Sequence, residues 1–183
     1  PLHMHSWSGL SLAVGVSVAD ALHTDVRLKW PNDLWLMGRK LGGILVETAS
    51  QGERADATRT VVIGVGINIA RPSEAALGAP TAGALPAMAP AGLAEVLMGV
   101  TAGEVLERVA PPLVRDVQLF ATHGFAAFAD RFGARDALKD RLVQLSDGTL
   151  GTACGVGSDG ALQVLTAQGM REVTSAEVSV RPC

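Results

Sequence analysis

The stretch LKWPNDLWLMGRKLGGILVE, residues 28–47, joins short apolar runs through polar corners. Residues 25–30 form an alternating run that predicts a strand, and Pro31 ends it because proline lacks an amide hydrogen and has a fixed φ. The run at 34–37 predicts a second strand, and a glycine turn leads into a third strand at 40–47. The stretch therefore predicts a hairpin-rich sheet.

Apolar segments on both sides of this stretch extend and cover the predicted sheet. After a polar loop, residues 59–69 (RTVVIGVGINI) predict a fourth strand. Residues 8–22 are apolar on nearly every face and contain no proline, which predicts a buried helix capped by Ser8 or Ser11. We therefore expect a helix packed on the sheet.

The middle of the chain predicts a loop followed by helices. Residues 71–92 are rich in alanine, proline and glycine and are typical of an irregular loop. The spacing of apolar residues predicts a helix at 93–109, which the proline pair at 111–112 interrupts. Two shorter helices are predicted near 113–122 and 125–132.

The last part of the chain is rich in turn signals. Asp or Gln precedes Gly at 147–148, 159–160 and 168–169, and the short apolar runs between these turns predict a β meander or barrel. Because strands and helices segregate, the predicted fold class is α+β: a mixed β-sheet with helices packed on it, followed by a small C-terminal β-barrel. The predicted domains are 1–134 and 135–183. The second domain is too small to bury much hydrophobic core by itself, and we therefore expect it to dock on the first.

The overall composition excludes several classes of protein. With 48% hydrophobic and 18% charged residues, the chain is predicted to be globular. A formal charge of -3 and the lack of a dense Lys/Arg cluster argue against nucleic-acid binding. Cys154 and Cys183 lie far apart, which favours a reducing, cytoplasmic location over a disulfide scaffold. No apolar run reaches the roughly 18 residues of a spanning helix, so we expect no membrane contact.

Glycines in the third and fourth predicted strands indicate a ligand site. Gly43 follows Lys40 in one strand, and Gly64 and Gly66 share a face of the other. Glycine normally weakens a strand but lets another group approach the backbone closely. If the two strands are neighbours, these glycines form a floor without side chains that suits a flat ligand with an anionic end. A merely structural sheet is the alternative, because strand glycines also mark bulges.

Polar residues are expected around the edge of this floor. They are Lys40, Asp33 and Asn68. Asn32 and Asp33 are also ordinary turn formers, since their short side chains hydrogen-bond to nearby backbone amides. That simpler reading explains the Pro-Asn-Asp corner by itself.

Two blocks of this sequence closely resemble the central signature of biotin protein ligases. They are KWPNDLWLMGRKLGGILVE at 29–47 and VVIGVGIN at 61–68, in the order and spacing of that family. The resemblance extends from the helix at Ser8 through the terminal β module. It implies a biotin/lipoate ligase-like fold and a two-step reaction. ATP and biotin form biotinyl-5'-AMP, and a lysine of a biotin carboxyl carrier protein domain then receives the biotin.

The resemblance also implies roles for individual residues. Lys40 contacts biotin and its activated carboxyl group. As a separate hypothesis from the chemistry, Asp33 is a second catalytic residue that orients or deprotonates the acceptor lysine, which must be neutral to attack. Asp33 and Asn68 help to organise Mg2+ and the nucleotide phosphates. Trp30 suits packing as well as ligand contact. The remaining residues implied to bind biotin or the adenylate are Gly43, Gly64, Gly66 and Asn32.

One feature of the family pattern is missing from these residues. Family members carry a Gly/Arg-rich adenylate-binding loop upstream of the helix at Ser8, and no such loop occurs in this sequence. Two other readings therefore stay open: a truncated, non-catalytic binding module of the same fold, and a ligase for lipoate or another acyl group. An exposed sheet edge is also compatible with a homodimer.

Overall fold

The computed structural model describes residues 7–50, 59–73, 89–174 and 180–182. Within these residues the chain has an α+β fold with two antiparallel sheets, and the predicted fold class is confirmed to that extent. The helices are α1 (Leu10–Leu22), α2 (Ala102–His123) and α3 (Ala129–Gly133), with 3-10 turns at Leu93–Glu95 and Phe125–Phe128. The strands are β1 (Val26–Lys29), β2 (Asp33–Leu36), β3 (Arg39–Ser50), β4 (Arg59–Ile67), β5 (Leu142–Leu145), β6 (Leu150–Val156), β7 (Leu162–Thr166), β8 (Gly169–Val173) and β9 (Val180–Pro182).

The first sheet has the strand order β1-β2-β3-β4. Each neighbouring pair is antiparallel, so the predicted mixed sheet is wrong for the described strands. The physical reason is that consecutive strands here pair as hairpins, which reverse the chain direction. The third and fourth predicted strands do lie side by side, as the glycine floor requires.

Helix α1 packs against β1 and β3 on one side and against α2 on the other. It is buried on nearly every face, which confirms the predicted buried helix. Neither predicted serine caps it. Ser8 Oγ donates to the Asp159 carbonyl (2.6 Å), and Ser11 Oγ donates to the Pro31 carbonyl (3.1 Å). The two hydroxyls instead tie the start of α1 to distant parts of the chain.

Helix α2 departs from the predicted helices at its start and in its middle. Residues 93–95 form only a 3-10 turn, and α2 begins at Ala102 after the N-cap residue Thr101. The prolines at 111–112 lie inside α2 and do not interrupt it. A proline inside a helix costs about 3 kcal/mol, and packing of the buried face of α2 on α1 outweighs that cost. Residues 74–88 of the predicted loop lie outside the described residues, as does Cys183.

The second sheet has the strand order β8-β7-β6-β5-β9 and is antiparallel throughout. The meander of β5 to β8 follows the predicted turns. The predicted barrel is not closed, because β8 and β9 are the two edges of the described sheet and do not pair with each other.

The two sheets share one hydrophobic core. Buried residues of α1, β2, α2 and the second sheet form a single cluster. Backbone hydrogen bonds join the parts directly, from Leu28 N to Arg135 O (2.9 Å) and from Ala137 N to Leu28 O (2.8 Å). The predicted docking of the terminal β module on the first part is therefore confirmed. Among the described residues, no helix combines the length and apolar character that crossing a bilayer requires.

Candidate functional site

A trough of about 540 Å³ lies on the face of the first sheet opposite α1. Its centre is the pairing of β3 with β4, where Gly43 lies opposite Gly66 and Leu45 lies opposite Gly64. Alternate residues of a strand share a face, so these positions all point into the trough. The lining residues are Asn32, Asp33, Lys40, Gly43, Ile44, Leu45, Gly64, Val65 and Gly66.

The glycines of the floor leave space that no neighbouring side chain fills. A Cβ on Gly66 would find its nearest atom, the Gly43 carbonyl oxygen, at 3.9 Å. A Cβ on Gly64 would be 3.8 Å from Leu45 Cβ. Packing therefore does not require glycine at these positions, and the backbone of β4 is open to a ligand that lies flat on it.

Lys40 and Asp33 form an ion pair at one end of the trough. Lys40 Nζ lies 2.6 Å from Asp33 Oδ1, and Lys29 Nζ lies 3.6 Å from Asp33 Oδ2. Lys40 is 56% exposed and Asp33 is 16% exposed, so the ammonium group faces the trough while the carboxylate lies behind it. A fixed positive charge at the end of a bare floor suits a ligand with an anionic end, as the sequence predicts.

Asn32 attaches the Pro-Asn-Asp corner to β3. Its carbonyl oxygen accepts a hydrogen bond from Ile44 N (2.9 Å), and its Nδ2 donates to Ile44 O (2.8 Å). The side chain thus acts as a hydrogen-bond partner for a neighbouring strand, in addition to forming the corner. This attachment places Asp33, the next residue, against Gly43 in the ladder.

Asn68 and Trp30 are not among the residues that line the trough. Asn68 Nδ2 donates to the Ala91 carbonyl (3.2 Å). Trp30 is 1% exposed, and its Nε1 donates to the Gly160 carbonyl of the terminal module (3.0 Å). Of the two readings of Trp30, packing is the one that these contacts support.

Trp30→Phe removes the indole donor and keeps an aromatic ring in the core. We expect the free energy of unfolding to fall by about 1–3 kcal/mol, because the buried Gly160 carbonyl loses its partner. Urea denaturation measures this change. Trp35→Phe is the matched control, because Trp35 Nε1 is buried without a hydrogen-bond partner among the described residues. Equal losses in the two variants would contradict the role assigned to the Trp30 hydrogen bond.

The residues around Asp33 do not fit a magnesium site held by the protein alone. Mg2+ requires near-octahedral oxygen ligands. Both oxygens of Asp33 already face ammonium groups, and the predicted second ligand, Asn68, lies outside the trough lining. Among the described ranges, no group of three or more His, Cys, Asp or Glu residues could hold a metal ion. We therefore derive no step through Mg2+.

Sequence reasoning missed one set of contacts around the site. Residues 91–95 lie against the ends of β3 and β4, and Arg39 pairs with Glu95. Residues 91 and 92 belong to an Ala/Pro/Gly-rich stretch that predicts only a loop. An arginine at the start of a hairpin strand is common and does not predict any particular contact. No signal in the sequence connects these residues with Lys40.

Comparisons with known proteins agree with the resemblance of the signature blocks. Residues 2–68 match the model of the Biotin/lipoate A/B protein ligase family. The biotin--[acetyl-CoA-carboxylase] ligase of Paracoccus denitrificans is 32% identical over 178 residues, which cover 92% of this chain and 71% of that protein. The chain belongs to the biotin protein ligase family. The bifunctional ligase/repressor BirA of Salmonella typhimurium, also in this family, is 32% identical over 94% of this chain. The chain spans about half the length of that relative, 53%.

Solved biotin protein ligase structures have the same fold as this chain. The apo structure of the enzyme from Aquifex aeolicus aligns with a TM-score of 0.76 at 25% identity, over 98% of this chain and 77% of that one. A structure of the Aquifex aeolicus protein in complex with biotin and ATP aligns with a TM-score of 0.75 at 26% identity, over 96% and 72% of the two chains. The predicted biotin/lipoate ligase-like fold is therefore confirmed.

Proposed function

We propose that this chain is the catalytic part of an ATP-dependent biotin protein ligase, which forms biotinyl-5'-AMP and transfers biotin to a lysine of a biotin carboxyl carrier protein domain. The observation that carries the proposal is the Lys40 ammonium group, held by Asp33 at the end of a floor made of glycine backbone. Membership of the biotin protein ligase family and the likeness to a biotin and ATP complex support the choice of substrates.

In the first step, a carboxylate oxygen of biotin attacks the α-phosphorus of ATP. A bond forms between this carboxylate oxygen and the α-phosphorus. The bond between the α-phosphorus and the oxygen that bridges it to the β-phosphorus breaks, and pyrophosphate leaves with the electron pair. Two anions must approach each other, so the Lys40 ammonium group stabilises charge that is concentrated in the transition state. The open backbone of Gly64 and Gly66 lets the reactants lie close enough to be aligned.

In the second step, the carrier lysine attacks the acyl carbon of biotinyl-5'-AMP. A carbon–nitrogen bond forms, the carbon–oxygen bond to the phosphate breaks, AMP leaves, and the amine gives up a proton. The attacking lysine must be neutral. We assign Asp33 to orient this amine or accept its proton. Because both Asp33 oxygens already contact ammonium groups, orientation of a further amine is the role that its contacts support best.

Asp33→Asn keeps the shape of the side chain and removes its charge. We expect transfer from preformed biotinyl-5'-AMP to a carrier domain to fall by about a hundred-fold, the scale for misplacing a reacting group. Single-turnover transfer rates measure this. Asp25→Asn is the matched control, because Asp25 is 60% exposed and lies outside the trough lining. Unimpaired transfer by Asp33→Asn would rule out the role in acceptor activation.

The proposed function is tested by biotin-dependent exchange between ATP and labelled pyrophosphate, with this chain and with the full-length protein. Exchange that requires biotin supports the ligase. Biotin binding without exchange in the full-length protein supports the non-catalytic binding module instead. Carrier labelling with lipoate in place of biotin supports the third reading, a ligase for another acyl group.

Further features of the family pattern are proposals for this chain. We propose a catalytic domain at 1–134, a C-terminal module at 135–183 that is completed as a small barrel, and action in the cytoplasm.

In the described part of the first sheet, β1 and β4 are the edges. Leu28 of β1 already forms backbone hydrogen bonds with Arg135 and Ala137, so β4 is the edge that we propose for a homodimer. Sedimentation velocity with and without biotin and ATP tests the oligomeric state. Mg2+ is proposed only as an ion carried by the nucleotide phosphates, tested by the dependence of exchange on added Mg2+.

A further inference from the structure

Lys40 lies at a β-bulge in β3. In the ladder with β2, Lys40 is opposite Trp35, and Gly42 is opposite the next residue of β2, Leu34. Leu41 is therefore the extra residue on the bulged strand. A bulge bends its strand, disrupts the ladder locally and changes the direction of a side chain, so it leaves nearby backbone groups in need of other partners.

Residues 91–95, which we name the rear segment, supply partners for the backbone at this point. Ala91 N donates to the Lys40 carbonyl (2.8 Å), and Leu93 N donates to the Asn68 carbonyl (2.8 Å). The rear segment thus continues the hydrogen bonding of β3 and β4 beyond the ends of their mutual ladder. It contacts the backbone of Lys40 directly, through Ala91.

The rear segment has little room to move. Leu93 is fully buried. A Cβ on Gly92 would lie 2.3 Å from Arg71 N, so the backbone passes close against residues that follow β4. Glu95 Oε1 accepts a hydrogen bond from Gly92 N (2.8 Å), which closes the segment on itself. Glu95 is therefore linked by a hydrogen bond to the backbone next to Ala91.

Arg39, the residue before Lys40, forms an ion pair with Glu95 of the rear segment. Its Nη2 donates to Glu95 Oε2, and the side chain is only 13% exposed. The Arg39 guanidinium and the Gly92 amide hold the pKa of the Glu95 carboxyl below its usual value. Arg39 Nη1 is buried and has no hydrogen-bond partner among the described residues. The Glu95 side chain is 27% exposed, and partly exposed ion pairs contribute little to stability, so we look for the contribution of this pair in the placement of its neighbours.

We propose that the Arg39–Glu95 ion pair is a clamp that positions Lys40 for adenylate formation by holding the rear segment against the bulge. Arg39 is then a positioning residue, because it acts through the backbone of Lys40. The inference rests on the proposed function for its kinetic part. Lys40 acts on charge in the transition state, so loss of the clamp lowers kcat more than it raises KM.

The kinetic test compares Arg39→Gln and Glu95→Gln with Arg171→Gln in the full-length protein. Arg171 donates to Asp147 at 2.7 Å and is 40% exposed, so its variant removes an Arg–carboxylate pair of the same kind in the terminal module. We expect Arg39→Gln and Glu95→Gln to lower kcat for biotin-dependent exchange by about ten- to a hundred-fold per folded molecule, the scale of misplacement of a catalytic group. Arg171→Gln is expected to stay within about twofold of wild type.

Glu95→Gln keeps an acceptor for Gly92 N and the shape of the side chain, so it remains informative if Arg39→Gln does not fold. The double variant Arg39→Gln/Glu95→Gln should be no slower than the single variants, because both remove the same contact. A purely structural pair would lower the folded fraction and leave kcat per folded molecule unchanged, and that result would overturn the proposal.

A second measurement does not depend on catalysis. We expect hydrogen exchange at the Ala91 and Leu93 amides to accelerate at least about tenfold in Arg39→Gln and not in Arg171→Gln, because these amides open locally when the clamp is lost. If wild type lacks exchange between ATP and pyrophosphate, the proposed function fails while this measurement still tests the clamp. Unchanged protection of both amides in a folded Arg39→Gln variant would overturn the clamp itself.

Discussion

Lys40→Ala is expected to lower biotinyl-adenylate formation by roughly a hundred- to a thousand-fold, the scale for removing one preorganised electrostatic donor. The ammonium group is held at 2.6 Å from Asp33 Oδ1 and faces the trough, so it is positioned to stabilise the charge that develops when the biotin carboxylate attacks the α-phosphate. Release of pyrophosphate in the presence of ATP and biotin measures the rate.

The control for this prediction is Lys139→Ala, which removes an exposed lysine outside the trough lining. Since Lys40 is 56% exposed, its replacement should leave the folded state largely intact, and thermal denaturation checks this. Biotin affinity should fall less than the rate, because an interaction that is strongest in the transition state mainly affects kcat. Pyrophosphate release at the wild-type rate in a folded Lys40→Ala variant would remove Lys40 from the reaction.

The strands and the glycine floor could be predicted from the sequence because both follow from local pattern. Alternation and turn residues define β2, β3 and β4 within short stretches of chain. The glycines at Gly43 and Gly66 carry information because glycine is unfavourable in a strand unless space is needed. Pairing of β3 with β4 then brings them opposite each other, and the trough follows from register alone.

The features that sequence reasoning missed depend on contacts between distant residues. The prolines in α2 read locally as a break, and only the packing of α2 on α1 overrides them. Trp30 lies within the signature, but its hydrogen bond is to Gly160, far along the chain. The rear segment has no periodicity, so nothing local predicts that Ala91 meets the bulge at Lys40.

Gly66→Val is expected to weaken biotin binding by about ten- to a hundred-fold while the protein remains folded. The new side chain projects from the floor into the trough, where the nearest atom to its Cβ is the Gly43 carbonyl oxygen at 3.9 Å. Valine is well suited to a strand, so the free energy of unfolding should change little. The added methyl groups occupy the volume that the ligand needs. Overpacking of this kind costs about 1–3 kcal/mol, and this cost makes the free energy of biotin binding less favourable. Isothermal titration calorimetry with biotin measures the affinity.

Gly42→Ala provides the opposite case at a neighbouring glycine on the other face of β3. A Cβ at Gly42 would lie 2.1 Å from the Gly66 carbonyl oxygen, so the backbone of β3 and β4 must move apart. We expect this smaller substitution to destabilise the fold strongly, whereas the larger one at Gly66 spares the fold and fills the site. If Gly66→Val binds biotin like the wild type, or if Gly42→Ala is as stable as the wild type, the two glycines have been assigned to the wrong roles. Opposite outcomes for the two variants distinguish a glycine required for strand contact from one that leaves room for a substrate.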